Sequence, residues 1–109
     1  MKNFKIPGDQ IVKLIDHDGG CLATDRITVD GVMVSYMYRE VTNRPNDTGW
    51  RFFAGDEDEE YMANSGHHGV YQINTIANYS PEIIRYLDTP APCAFERIQG
   101  TQDFMSVDE

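Results

Sequence analysis

The run Ile27-Thr28-Val29-Asp30-Gly31-Val32-Met33-Val34 sets β-branched residues on both sides of an Asp-Gly pair. That pattern predicts a hairpin with a two-residue type I′ turn, because both turn positions need φ > 0. Its second arm puts Val32, Val34, Tyr36 and Tyr38 on one face, and Met33, Ser35, Met37 and Arg39 on the other. Such period-2 alternation belongs to a strand. Residues 43–49, Asn-Arg-Pro-Asn-Asp-Thr-Gly, are turn formers and predict a loop. Trp50-Arg51-Phe52-Phe53-Ala54 follows as a strand antiparallel to 32–39, with Trp50 and Phe52 turned into the core.

Gly55 breaks that strand, and a short helix is predicted from Asp56 to about Ala63. Asp56 as N-cap with Glu59 three residues on approximates a capping box. Val70-Tyr71-Gln72-Ile73 reads as a strand and Asn74–Tyr79 as a helical turn or short helix. Ser80 and Pro81 open a further helix through Leu87, with Ser as cap and Pro at the first helical position. Pro90 and Pro92 end it. Residues 93–97 and 103–107 read as closing strands around a turn at Gly100. The sum is an α+β fold, a mostly antiparallel sheet with two or three short helices.

The 109 residues suit one domain spanning 1–109, and no repeat or linker divides them. Apolar residues make up 40% of the chain, enough for a core and too many for a disordered one. No apolar run reaches the roughly 18–20 residues that cross a bilayer. Lys13 interrupts Ile11-Val12-Lys13-Leu14-Ile15, which leaves no secretory segment near the N-terminus. A cytoplasmic protein without a membrane partner is expected.

Charge is divided unequally. Residues 1–55 carry seven acids and seven bases, whereas 56–109 carry eleven acids against Arg85 and Arg97 alone. The whole net charge of -9 therefore sits in the second half. Such a field opposes nucleic acid and anionic lipid and favours a basic partner, with on-rates that fall as salt rises. Asp56-Glu57-Asp58-Glu59-Glu60 is its densest part. Repulsion between Asp56 and Glu60 costs only about 0.2–0.5 kcal/mol, and the helix dipole can offset it. Capping needs one or two of these acids, so all five are candidate contacts for a basic partner.

Catalytic motifs are missing from the chain: no Gly-x-Ser-x-Gly elbow, no phosphate loop and no GxGxxG. Asp16-His17-Asp18-Gly19 starts like a calcium loop but lacks the later oxygen ligands. Cys21 and Cys93 form no CxxC pair, and His17, His67 and His68 fall at no zinc spacing. The reading is buried structural thiols, a solvated histidine loop, and no metal, cofactor or enzymatic activity.

Gly49-Trp50-Arg51-Phe52-Phe53-Ala54-Gly55-Asp56-Glu57 resembles the signature of a bacterial family once catalogued as a domain of unknown function. That family is immunity protein family thirty-three of polymorphic toxin systems. The similarity extends to Gly19–Ala23, Val34–Arg39, Asn74–Tyr79 and Ala94–Arg97, and covers about residues 19–97. It implies a cytoplasmic antidote that binds a cognate toxin domain and blocks it by occlusion. Many effector toxins are nucleases with basic clefts, which an acidic protein would plug; this link is class-level analogy. Two other classes stay open beside it. A small regulatory or ligand-binding module would show a concave apolar pocket with convergent polar groups. A hydrolase would add a perturbed acid–base pair inside such a pocket.

Overall fold

A computed structural model describes residues 2–17 and 19–107. Asp18 of the calcium-like stretch lies outside the described residues, as do Asp108 and Glu109 of the acidic half. Six strands form one sheet: β1 (Gly20–Thr24), β2 (Tyr36–Arg39), β3 (Asp47–Phe53), β4 (His68–Gln72), β5 (Cys93–Arg97) and β6 (Phe104–Ser106). Their order is β4-β1-β3-β2-β5-β6, antiparallel at every junction except β1–β3. Three short α-helices accompany them among the described residues: α1 (Asp25–Thr28), α2 (Glu59–Ala63) and α3 (Ile73–Tyr79). A 3₁₀ segment, Pro81–Tyr86, follows α3. The fold is α+β.

Trp50 and Phe52 alternate inward from β3, both at 0% exposure, with their rings stacked 5.9 Å apart. Met37, Phe95, Cys21 and Ala23 project to the same side from neighbouring strands. Ile73, Ile76 and Ala77 of α3 are buried at the i, i+3, i+4 spacing of one helix face. With Ile83, Leu87 and Phe104 they close the core. Outward on α3, Asn74 and Asn78 lie four residues apart and bind the N-terminal segment. Their side-chain oxygens accept from the Leu14 and Val12 amides at 2.8 and 3.0 Å, and both Nδ2 groups donate to Val12 O.

The predicted hairpin over 27–34 is not formed. Residues 25–28 make a helical turn instead, because Ile27 and Thr28 are both fully buried and a half-buried strand points adjacent side chains to opposite faces. Gly31 does take positive φ (+75°), but it ends a helix: its amide donates to Ile27 O at 3.1 Å. The strand that pairs beside β3 here is β1, which the sequence pattern did not mark. The alternation predicted for 32–39 also slips. Val34 and Met37 are both core residues, three apart, since 32–35 lies outside the sheet. Val34 donates its amide to Ser80 Oγ at 2.9 Å, so Ser80 ties two layers together and does not cap the next helix. From Tyr36 onward the strand is regular, and Tyr36 and Tyr38 share one face as expected.

The β2–β3 hairpin forms, but the connection is shorter than predicted: β3 runs Asp47–Phe53, so Ala54 lies beyond it and Asp47, Thr48 and Gly49 belong to the strand. Gly49 is required there. It has φ +87°, and a Cβ would lie 2.1 Å from the Glu40 carbonyl oxygen.

Candidate functional site

The acidic run begins where β3 leaves the sheet. Gly55 turns the backbone with φ +96°, which strips the Ala54 and Gly55 amides of ladder partners. Glu57 replaces them. Its Oε2 accepts from Ala54 N at 2.8 Å and from Thr24 Oγ1 at 2.5 Å, and its Oε1 accepts from Gly55 N at 2.9 Å. Asp56 is taken by Arg26, which donates Nη2 at 2.6 Å and Nε at 3.1 Å. That guanidinium holds the Asp56 carboxyl below the usual carboxylate range. Asp58 is the N-cap of α2 and accepts from Tyr61 N at 2.7 Å.

The predicted cap therefore moves. Asp56 does not cap the helix, Glu59 is its first residue and not a capping-box partner, and the helix starts three residues later than expected. Three successive acids could have capped, and Asp56 and Glu57 are diverted by partners distant in sequence, Arg26 and Thr24. Glu59 and Glu60 remain. They sit exposed on the first turn, near the positive end of the helix, with no hydrogen bond or ion pair among the described residues.

Between this segment and the turn after β5 runs an open groove of about 890 Å³. Tyr36 and Phe53 line it from the sheet, Asp56 and Glu57 from one side, and Glu96 and Arg97 from the other. Tyr36, Tyr38 and Phe53 form a half-buried aromatic triangle with ring centroids 5.7–6.1 Å apart. They lie on the sheet face opposite Trp50 and Met37, and no residue of α2 is buried. Arg97 is spent within the fold: it pairs with Glu82, donates twice to Val34 O (2.9 and 2.6 Å) and covers the Phe104 ring. Glu96, cross-strand from Tyr36, is exposed and carries no partner among the described residues. Of the groove residues, Asp56 and Glu57 were candidate contacts from the sequence, whereas Tyr36, Phe53, Glu96 and Arg97 were given no role. The shared face of Tyr36 and Tyr38 was the available signal.

Further along the same face, Arg51 is 3% exposed. Asp47 meets it with two parallel bonds of 3.0 Å, and Glu40 accepts from its Nε at 2.9 Å. The Arg51 guanidinium drives the Asp47 carboxyl far below its ordinary range. Cys21 and Cys93 are free, and burial pushes both thiols up, away from the reactive thiolate. The histidine loop is less solvated than expected. His67 stacks on Tyr61 with centroids 4.1 Å apart, and His68 contacts Met62 O at 3.3 Å, joining α2 to β4. Among the described residues no three His, Cys, Asp or Glu side chains gather as a metal site. No helix among them is long and apolar enough to cross a membrane.

Residues 21–108 match the family model described as the Immunity protein Imm33 domain. The chain belongs to the Imm33 family. This match covers most of the chain, including every strand but the first residue of β1, the acidic run and both walls of the groove. No curated protein and no solved structure matches the chain.

Proposed function

We propose that this Imm33 chain is a non-catalytic immunity protein that acts in the bacterial cytoplasm, binding a cognate toxin domain and blocking it by occlusion. The observation that carries the reading is the state of the acidic run within an Imm33 fold. Asp56, Glu57 and Asp58 hold the backbone in shape, which presents Glu59 and Glu60 to solvent with their charge uncompensated. Asp56–Glu60 is the proposed contact segment, with the first three residues as its frame and the last two as its free charges. A toxin with a basic cleft would be attracted at long range and covered at short range. Groups already bonded inside the fold line much of the groove, which favours a macromolecular contact over an enclosed small-molecule site.

Co-purification with the product of the gene adjacent to this one tests the reading. A stoichiometric complex that silences the partner's toxicity is expected. A toxic neighbour that neither binds nor is silenced by the folded chain would overturn it.

A further inference from the structure

We propose that the face of the sheet opposite the core, centred on the groove and flanked by α2, is the surface that docks on the toxin, and that it takes arginine or lysine side chains. This rests on the immunity reading above and adds where the partner sits and what it presents. The observation is a composite surface that no single stretch of sequence encodes. Its floor is the aromatic triangle of Tyr36, Tyr38 and Phe53, contributed by β2 and β3. Val70 of β4 and Met105 of β6 extend the same face toward both edges of the sheet, at 76% and 53% exposure. The opposite face is filled by the core.

Charge decides the occupant. Three acidic residues, Asp56, Glu57 and Glu96, line the groove; Arg26 pairs with Asp56, while Glu57 and Glu96 have no cationic partner among the described residues. Arg97, the basic residue at the groove edge, turns its guanidinium to the core side, onto Glu82 and the Phe104 ring. The adjoining first turn of α2 adds Glu59 and Glu60, and Met62 of that helix reaches the groove. An anionic partner would be repelled. A guanidinium or ammonium group would find aromatic faces for its stem and carboxylates for its head, the two features such groups bind together. Apolar floor and acidic rim also match the division of a protein interface into a core and a charged margin.

The probe is the purified product of the adjacent gene, in a catalytically inactivated form, titrated against the intact chain. Glu96→Arg and Met105→Arg place positive charge on two exposed, opposed positions of β5 and β6 and leave the core untouched. Asp88→Arg makes the same charge change as Glu96→Arg at an exposed residue after the 3₁₀ segment. Circular dichroism and urea unfolding verify that each variant folds. Glu96→Arg and Met105→Arg are expected to raise Kd at least tenfold, with Asp88→Arg within about twofold of wild type. Wild-type affinity in both face variants would overturn the docking face while leaving the immunity reading intact. An equal loss in Asp88→Arg would also overturn it, because net charge and not this face would then govern binding. A wild-type chain that fails to bind overturns the immunity reading, and the docking face with it.

Discussion

At the scale of single residues, buried Trp50 and half-buried Asp47 hold parts of the chain together. Trp50 has no exposed surface, and its indole Nε1 donates to Leu87 O at 3.2 Å, so it anchors the loop after the 3₁₀ segment as well as the core. Trp50→Ala is expected to cost about 3–5 kcal/mol in urea unfolding, a large part of a typical 5–15 kcal/mol total. The native emission should be blue-shifted and move red on unfolding; solvent-like native emission would contradict the placement. Asp47 governs acid behaviour. Its carboxyl titrates lower in the folded state than in the unfolded chain, where an ordinary aspartate lies near about 3.9. Its stabilising contribution is therefore complete above that value and is lost as pH falls toward the folded pKa. Asp47→Asn should be less stable at neutral pH, because Arg51 loses its bidentate partner, and its stability should fall less steeply below about pH 4. An acid limb parallel to wild type would contradict this role. The inward turn of Trp50 and Phe52 was legible from their spacing. The pairing of Arg51 with Asp47 and Glu40 was not, since nothing local marks which charge a buried arginine will find.

At the scale of elements, the strands bounded by turn residues were readable, β3, β4, β5 and β6, although β3 begins inside the stretch read as a loop. The segment from 25 to 34 was not. Its β-branched residues and Asp-Gly pair favour a hairpin locally, and tertiary burial of both Ile27 and Thr28 overrides that preference. The acidic run shows the same limit. Five like residues are interchangeable as caps in sequence, and only Arg26 and Thr24 in the fold sort them into roles. That sorting gives a graded prediction. Asp58→Ala removes one N-cap bond and should cost about 0.5–2 kcal/mol. Glu57→Ala should cost more than Asp58→Ala, because it leaves two backbone amides and the Thr24 hydroxyl without their acceptor. Glu59→Gln with Glu60→Gln should leave urea unfolding within about 0.5 kcal/mol of wild type, as surface changes do. A reversed order would show that the run is organised differently.

At the scale of the whole molecule, one face of the sheet is covered by the core with α1, α3 and the 3₁₀ segment, and the other carries an open groove flanked by α2. The open side meets an acidic segment whose shape is held by its own first three carboxylates. If the uncompensated charges serve recognition, Glu59→Gln with Glu60→Gln should slow association with the toxin and flatten its salt dependence, with little change in dissociation. Stopped-flow mixing across a salt series measures this, and an unchanged association rate at low salt would remove the segment from the encounter surface. The central claim is that the chain neutralises a toxin by binding it. Growth of cells producing the adjacent gene product, with and without this chain, tests that most directly. The account predicts arrested growth from the toxin alone and restored growth when the wild-type chain is co-expressed. Continued arrest in the presence of abundant, folded chain would contradict it.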